Sequence, residues 1–236
     1  MTLLNYVMLG LVGIIAYFIG SIPSAVWIGR SFYGIDVRQK GSKNAGATNT
    51  IRVLGLIPGL FVLAFDAFKG WFAVYTGNFF GRFYVELWGA DLGGEYLVYY
   101  KLILGIIAVV GHALPIYVGF KGGKGVATML GVVIGLFEHI LPLVIGVFVI
   151  TFIIYHYISL ASIVTSISFP VFYLCCSHWL GYHIYVPLIV FTCLVALFIP
   201  WTHRKNIKRL LHHQEPRFKF KKTVEDVANQ EQDKKE

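Results

Sequence analysis

The chain has 236 residues, 57% of them hydrophobic and 14% charged, against roughly 45–50% and 25% in soluble domains. That composition excludes water as the main solvent. The formal net charge of +8 is unevenly spread, so its distribution reports which side of a membrane each loop occupies.

Residues 1–29 contain no Asp, Glu, Lys or Arg. No basic segment precedes this apolar run and it exceeds the apolar part of a signal peptide, so it is expected to be a first span, about Tyr6 to Ile28. A loop from Arg30 to Arg52 follows, with Arg30, Arg38, Lys40, Lys43 and Arg52 against Asp36 alone, which the positive-inside rule places in the cytoplasm. A second span covers about Val53 to Thr76 and is interrupted by Asp66 and Lys69. The next loop, to about Glu95, carries Arg82 against Glu86, Asp91 and Glu95, the balance expected outside.

A third span, about Tyr96 to Tyr117, returns to the inside at Phe120 to Gly125. A short or tilted fourth helix ends near Phe137, where Glu138, His139 and Pro142 mark a break. From His139 to His203 there are 65 residues without a formal charge, and about 20 apolar residues already cross the hydrocarbon layer. This stretch is therefore assigned three spans, about Ile140 to Tyr155, Leu160 to Cys176 and Ile184 to Pro200. The total is seven, with five as the alternative. Either odd number puts the N-terminus outside and the C-terminus in the cytoplasm, as does the basic run Arg204 to Lys222. Trp88 and Trp179 fall at outer ends and Trp27 and Trp201 at inner ends, where interfacial aromatics belong. Cys175, Cys176 and Cys193 sit in apolar segments without metal-site or disulfide spacing. The expected architecture is all-α and polytopic: a single membrane-embedded domain over 1–222 and a disordered charged tail over 223–236.

Three polar stretches invite chemistry. The first, Gly41 to Arg52, is rich in small and turn-forming residues that expose backbone N–H groups beside Arg52, as anion binding requires; a solvated loop meeting anionic headgroups has the same composition. The second, Phe120-Lys121-Gly122-Gly123-Lys124-Gly125-Val126-Ala127-Thr128, opens onto an apolar helix. Its glycines, helix N-terminus and two lysines together suit phosphate, although the nucleotide P-loop spacing is absent. In the third, His203, Asn206 and Arg209 recur at intervals of three and share a helix face, with Glu215 beyond. Asp66 and Lys69 are also three apart; a mutually neutralising structural pair is favoured over a functional one. His112 is taken as a buried, hydrogen-bonded structural histidine.

In this order, GSKNAGATNTIR, GHALPIYVGFKGGKGVAT and HRKNIKRLLHHQE, with the intervening FDAFKG, resemble the motifs of the bacterial acyl-phosphate:glycerol-3-phosphate acyltransferases, the PlsY family. The resemblance covers residues 1 to about 220. It implies transfer of a fatty acyl group from acyl phosphate to the sn-1 hydroxyl of glycerol 3-phosphate, giving lysophosphatidate and phosphate. The implied setting is a multi-pass protein of the bacterial inner membrane, with its active site facing the cytoplasm. Its partners are the two substrates and membrane lipids; no cofactor, metal or nucleic acid is called for.

Carried onto this chain, Ser42, Arg52, Lys124, His203 and Asn206 are the candidate catalytic residues, the first three gripping phosphate and the last two orienting or deprotonating the hydroxyl. Asn44, Asn49, Lys121, Gly122, Gly123, Gly125 and Thr128 are candidate substrate-binding residues, and Glu215 a structural anchor. The proton acceptor is either His203 or a substrate phosphate oxygen. Lys43 and Ala45 stand where the family commonly has Gly and Pro, and His213 where many members have Gly. A transporter for a phosphorylated metabolite and a noncatalytic lipid-binding protein are the alternatives, both compatible with basic loops at a membrane.

Overall fold

The computed structural model describes residues 3–88 and 95–218, and no strand occurs among them. Asp91 and the expected tail over 223–236 lie outside the described residues. The helices are α1 (Leu3–Ser21), α2 (Ser24–Tyr33), α3 (Ala47–Leu54), α4 (Leu56–Trp88), α5 (Glu95–Ala113), α6 (Val126–Leu136), α7 (Leu141–Tyr155), α8 (Ile158–Leu180), α9 (Val186–Thr202) and α10 (Arg204–Leu211). Among the described residues, three spans are long and apolar enough to cross a bilayer: Leu56–Gly81, Glu95–Val118 and Ile158–Leu180. The pairs α1–α2, bent by 42°, and α9–α10, bent by 61°, raise the number to five. With 11 and 15 residues, α6 and α7 fall short of a full crossing of about 20. The expected seven spans are reached only by adding both.

The first expected span is broken. Pro23 has no N–H to offer the Ile19 carbonyl, and the chain restarts as α2, which ends on Gly34 in the left-handed region at φ 63°. The second expected span also divides. A separate amphipathic α3 ends at Gly55, whose φ of 105° turns the chain into α4. At 33 residues, α4 is about 50 Å long at 1.5 Å per residue, well past a hydrocarbon core of about 30 Å. It takes in Arg82 and Glu86, which the charge pattern had placed in a loop.

Lipid is as apolar as leucine, so helices in it associate through close packing. Glycines provide this in reciprocal pairs. A Cβ on Gly70 of α4 would collide with the Thr128 carbonyl of α6, and one on Gly131 of α6 with the Ala67 carbonyl of α4. Gly20 of α1 and Gly111 of α5 face the Ala108 and Tyr17 carbonyls in the same way. The largest apolar core joins Val74 of α4, Val109 of α5 and Val132 of α6 to Phe137, Phe169 of α8 and Phe191 of α9. The short α6 is thereby buried against both halves of the bundle, and its N-terminus is held where the polar stretches meet.

Candidate active site

The first polar stretch is organised by Asn49, which is 1% exposed. Its side-chain amide donates to the carbonyls of Val37 (2.7 Å), Lys40 (3.1 Å) and Asn44 (3.0 Å). Its Oδ1 accepts from the Ser42 N–H at 2.8 Å. No donor is left for a ligand, so Asn49 braces the loop and is not a substrate ligand as expected from sequence. Ser42 and Asn44 remain on the accessible side, exposed and partly exposed. Asp36 receives Arg30 and Arg38 at 2.8 Å each, and these partners, Arg38 foremost, hold its carboxyl far below the usual range against the effect of burial. Arg38 Nη1 also donates to the Val118 carbonyl at 3.1 Å, tying the first stretch to the second.

The glycine-rich stretch differs from a phosphate cradle. The Gly122 N–H donates to the Ala113 carbonyl and the Gly123 N–H to the His112 carbonyl, closing the end of α5. A Cβ on Gly122 would strike the His112 carbonyl, and one on Gly123 the His112 ring and the Ala45 carbonyl. Both glycines therefore permit close packing rather than phosphate contact, correcting their expected ligand role. Gly125, at φ 80°, caps α6, and the first-turn N–H groups of that helix keep their anion-binding potential. Thr128 is fully buried, and its hydroxyl has no hydrogen-bond partner among the described residues, so its donor stays free for a ligand at the α6 N-terminus. Lys121 is exposed and lines a cleft with Arg38 and Lys43.

Lys124 turns inward. Its ammonium donates to the Asn206 Oδ1, while the Asn206 amide donates to Glu215 Oε1 at 2.6 Å. Glu215 also accepts from Ser159 (2.8 Å) and Arg209 (2.6 Å) and is only 8% exposed. Burial pushes its carboxyl up, but the bonds from Asn206, Arg209 and Ser159 outweigh this and hold it below the ordinary value. Hydrogen bonds to a charged group are worth about 1.5–3 kcal/mol each, so they bind Glu215 firmly to α8 and α10. They also fix which way the Asn206 amide faces.

Arg52 is half-buried. Burial lowers its pKa, with Glu215 opposing and Arg209 reinforcing. Burial likewise brings Lys124 down to about 8, against Glu215 and with Arg209 and Arg52. Arg52, Lys124 and Arg209 thus share Glu215 as their one carboxylate among the described residues, an excess of two positive charges. His203 sits at the α9–α10 junction, 5% exposed. Its Nδ1 lies 2.9 Å from the Ile199 carbonyl, which only accepts, so Nδ1 carries the proton and Nε2 keeps a free lone pair. Burial, with Lys124 adding to it, takes this imidazole down to about 4.

Asp66, Lys69 and His112 form a separate buried node. Lys69 lies 2.7 Å from Asp66, which accepts from Ser24 at 2.6 Å and faces His112 Nδ1 at 3.6 Å. The Lys69 ammonium donates to the Gly20 and Ile22 carbonyls at the α1–α2 break. These contacts join α4 and α5 to the α1–α2 break. Ser159, in the first turn of α8, was missed: its only signal was the polar break Tyr155-His156-Tyr157, which had served merely to separate two spans.

Residues 10–213 match the protein family described as glycerol-3-phosphate acyltransferase. The chain is 39% identical over 207 residues to the glycerol-3-phosphate acyltransferase of Fusobacterium nucleatum, covering 88% of this chain and 96% of that protein. It is 36% identical over 210 residues to that of Listeria monocytogenes, covering 89% and 96%. Its fold is similar to PlsY (YgiH), an integral membrane glycerol 3-phosphate acyltransferase. The TM-score is 0.71 to the glycerol 3-phosphate form, with 34% identity over 90% of this chain and 96% of that one. To the lysophosphatidic acid form the TM-score is 0.69, with 33% identity and the same coverage.

Proposed function

Since the chain belongs to the glycerol-3-phosphate acyltransferase family, we propose that it transfers a fatty acyl group from acyl phosphate to the sn-1 hydroxyl of glycerol 3-phosphate. We place this reaction on the cytoplasmic face of the bacterial inner membrane, at the cluster built on Lys124, Asn206 and Glu215. The observation that carries the assignment is the cation excess there: three cationic side chains around one anchored carboxylate suit a phosphate dianion. Family membership sets aside the transporter and the noncatalytic alternative.

In the proposed reaction the sn-1 oxygen attacks the acyl carbonyl carbon and the bond from that carbon to the phosphate oxygen breaks. Arg52, Lys124 and the first-turn N–H groups of α6 offset charge on the bound and departing phosphates, with Ser42 as a further phosphate ligand. An acyl phosphate is already activated, so orientation is the main requirement. The free Nε2 of His203 accepts a hydrogen bond from the attacking hydroxyl and aims it. An imidazole near 4 is a weak base at neutral pH, so the proton passes to the phosphate product and His203 acts as an orienting acceptor. Asn206, held by Glu215, keeps Lys124 in place.

The direct test supplies acyl phosphate and glycerol 3-phosphate to the purified full chain and follows lysophosphatidate and phosphate. One of each is expected per turnover, with formation about 10²–10³-fold slower in Lys124→Ala. Lysophosphatidate formation undiminished in Lys124→Ala would overturn the site. Membrane-impermeant thiol labelling of a Ser42→Cys variant in inverted against right-side-out vesicles checks the cytoplasmic placement.

A further inference from the structure

A second cationic cleft, apart from the Lys124 cluster, lies between the first polar stretch and the turn after α5. It has a volume of about 600 Å³ and is lined by Asp36, Arg38, Gln39, Lys43 and Lys121, with Val118, Gly119 and Gly122. Asp36 is already occupied by Arg30 and Arg38, and neither Lys43 nor Lys121 forms an ion pair with a described residue. Lys43 is held at φ 60° and Phe120, beside Lys121, at φ 59°, a region that disfavours residues with a Cβ. Two uncompensated ammonium groups therefore face one recess from two rigid turns.

An apolar groove of about 510 Å³ runs between α1 and α5, lined by residues such as Leu9, Gly10, Gly13, Phe18 and Ile107. A row of aromatic rings runs from the groove toward the cleft. Phe18 of the groove packs on Tyr117 at 6.2 Å, and Tyr117 on Trp27 at 6.0 Å; Tyr117 directly precedes Val118 of the cleft. Tyr117 and Trp27 are 48% and 47% exposed, as rings at a membrane interface are. Charge complementarity and this aromatic link call for an amphiphile with an anionic phosphate head and an apolar chain.

We propose that this composite site binds a membrane lipid with an acidic phosphate head group, the head between Lys43 and Lys121 and one chain along the α1–α5 groove. The cleft lining includes none of Arg52, Lys124, His203, Asn206 or Glu215, and the proposal does not depend on the function proposed for that cluster.

The test measures retention of dioleoyl phosphatidic acid against dioleoyl phosphatidylcholine by native mass spectrometry of the full chain. At about tenfold per 1.4 kcal/mol and roughly 1 kcal/mol per lysine near a membrane surface, Lys43→Gly with Lys121→Gln is expected to weaken phosphatidic acid binding about thirtyfold. The glycine at 43 also suits the left-handed backbone there. Gly10→Leu fills the groove at a position where an added Cβ meets nothing within 4 Å, and is expected to reduce retention with the head-group cleft intact. Lys124→Ala is expected to retain the lipid while acyl transfer slows, so the two proposals fail separately. Equal retention of both lipids, or no loss in either the double lysine variant or Gly10→Leu, overturns the proposal. So does displacement of the lipid by millimolar glycerol 3-phosphate or inorganic phosphate, which would make the cleft a site for soluble phosphate.

Discussion

Two buried carboxylates, Asp66 and Glu215, collect cations in this protein, and they do so to opposite ends. Around Asp66 the charges close on themselves: Lys69 is 2.7 Å away and both residues are 0% exposed. The remaining ammonium hydrogens go to the Gly20 and Ile22 carbonyls that the α1–α2 break leaves without helical partners. Around Glu215 the charges do not close. Arg209, Lys124 and Arg52 exceed it, and Arg209 is 36% exposed. A balanced, sealed ion pair is structural; an unbalanced one with access to solvent is prepared for an anion. The residue types are nearly the same, so stoichiometry and access separate the two roles.

The comparison breaks most severely at the sealed node. Asp66→Ala leaves a buried lysine without its counter-ion, and such a loss costs about 3–5 kcal/mol. The expected outcome is little folded protein by size-exclusion chromatography in detergent, whatever the substrate supplied. Lys124→Ala should do the reverse. Folded protein is retained, and kcat/KM falls about 10²–10³-fold as phosphate stabilisation is lost.

Proton titration sharpens the contrast. With Lys124 brought down to about 8, its charge is present below that pH and lost above it. kcat/KM for glycerol 3-phosphate is therefore expected to decline as pH rises through about 8. Lys124→Arg stays cationic and should abolish that alkaline limb, although its maximal rate falls because the Asn206 contact changes. Glu215 raises the Lys124 pKa, so Glu215→Gln should move the limb below 8. A limb that stays in place in both variants would assign it to another group. The smallest effect belongs to the backbone. Lys43 and His213 occupy the left-handed region at φ 60° and 55°, at positions where the family resemblance led to an expectation of glycine. Relief of about 1–2 kcal/mol, offset by the roughly 0.5–1 kcal/mol entropic cost of glycine, predicts a net gain near 0.5 kcal/mol for His213→Gly, visible as a slightly higher Tm.

Much of the site was legible from chemistry along the chain. Lys124, Arg52, His203 and Asn206 were marked as the polar groups of three basic stretches, and the structure brings Lys124, Asn206 and Glu215 into contact. The errors share one cause. Asn49, Gly122 and Gly123 have the residue types of phosphate ligands, yet their donors are engaged within the fold. Each partner that decides this is contributed by the fold: the Val37 and Asn44 carbonyls for Asn49, and the end of α5 for the two glycines. Residue type states what a group is able to bind, whereas only the completed hydrogen-bond inventory states what is left free.

By itself the sequence determined the solvent, the helical class and the residue types of the proposed site, because hydropathy, charge sign and residue type are properties of short stretches of chain. Tertiary structure decided where the helices break, which of them are too short to cross, and which carboxylate is balanced. Those outcomes turn on partners far apart in the chain, as Lys69 is from Ile22 and Ser159 from Glu215. No local pattern records such distances, since a buried polar group takes its partner from whatever packing brings within about 3 Å.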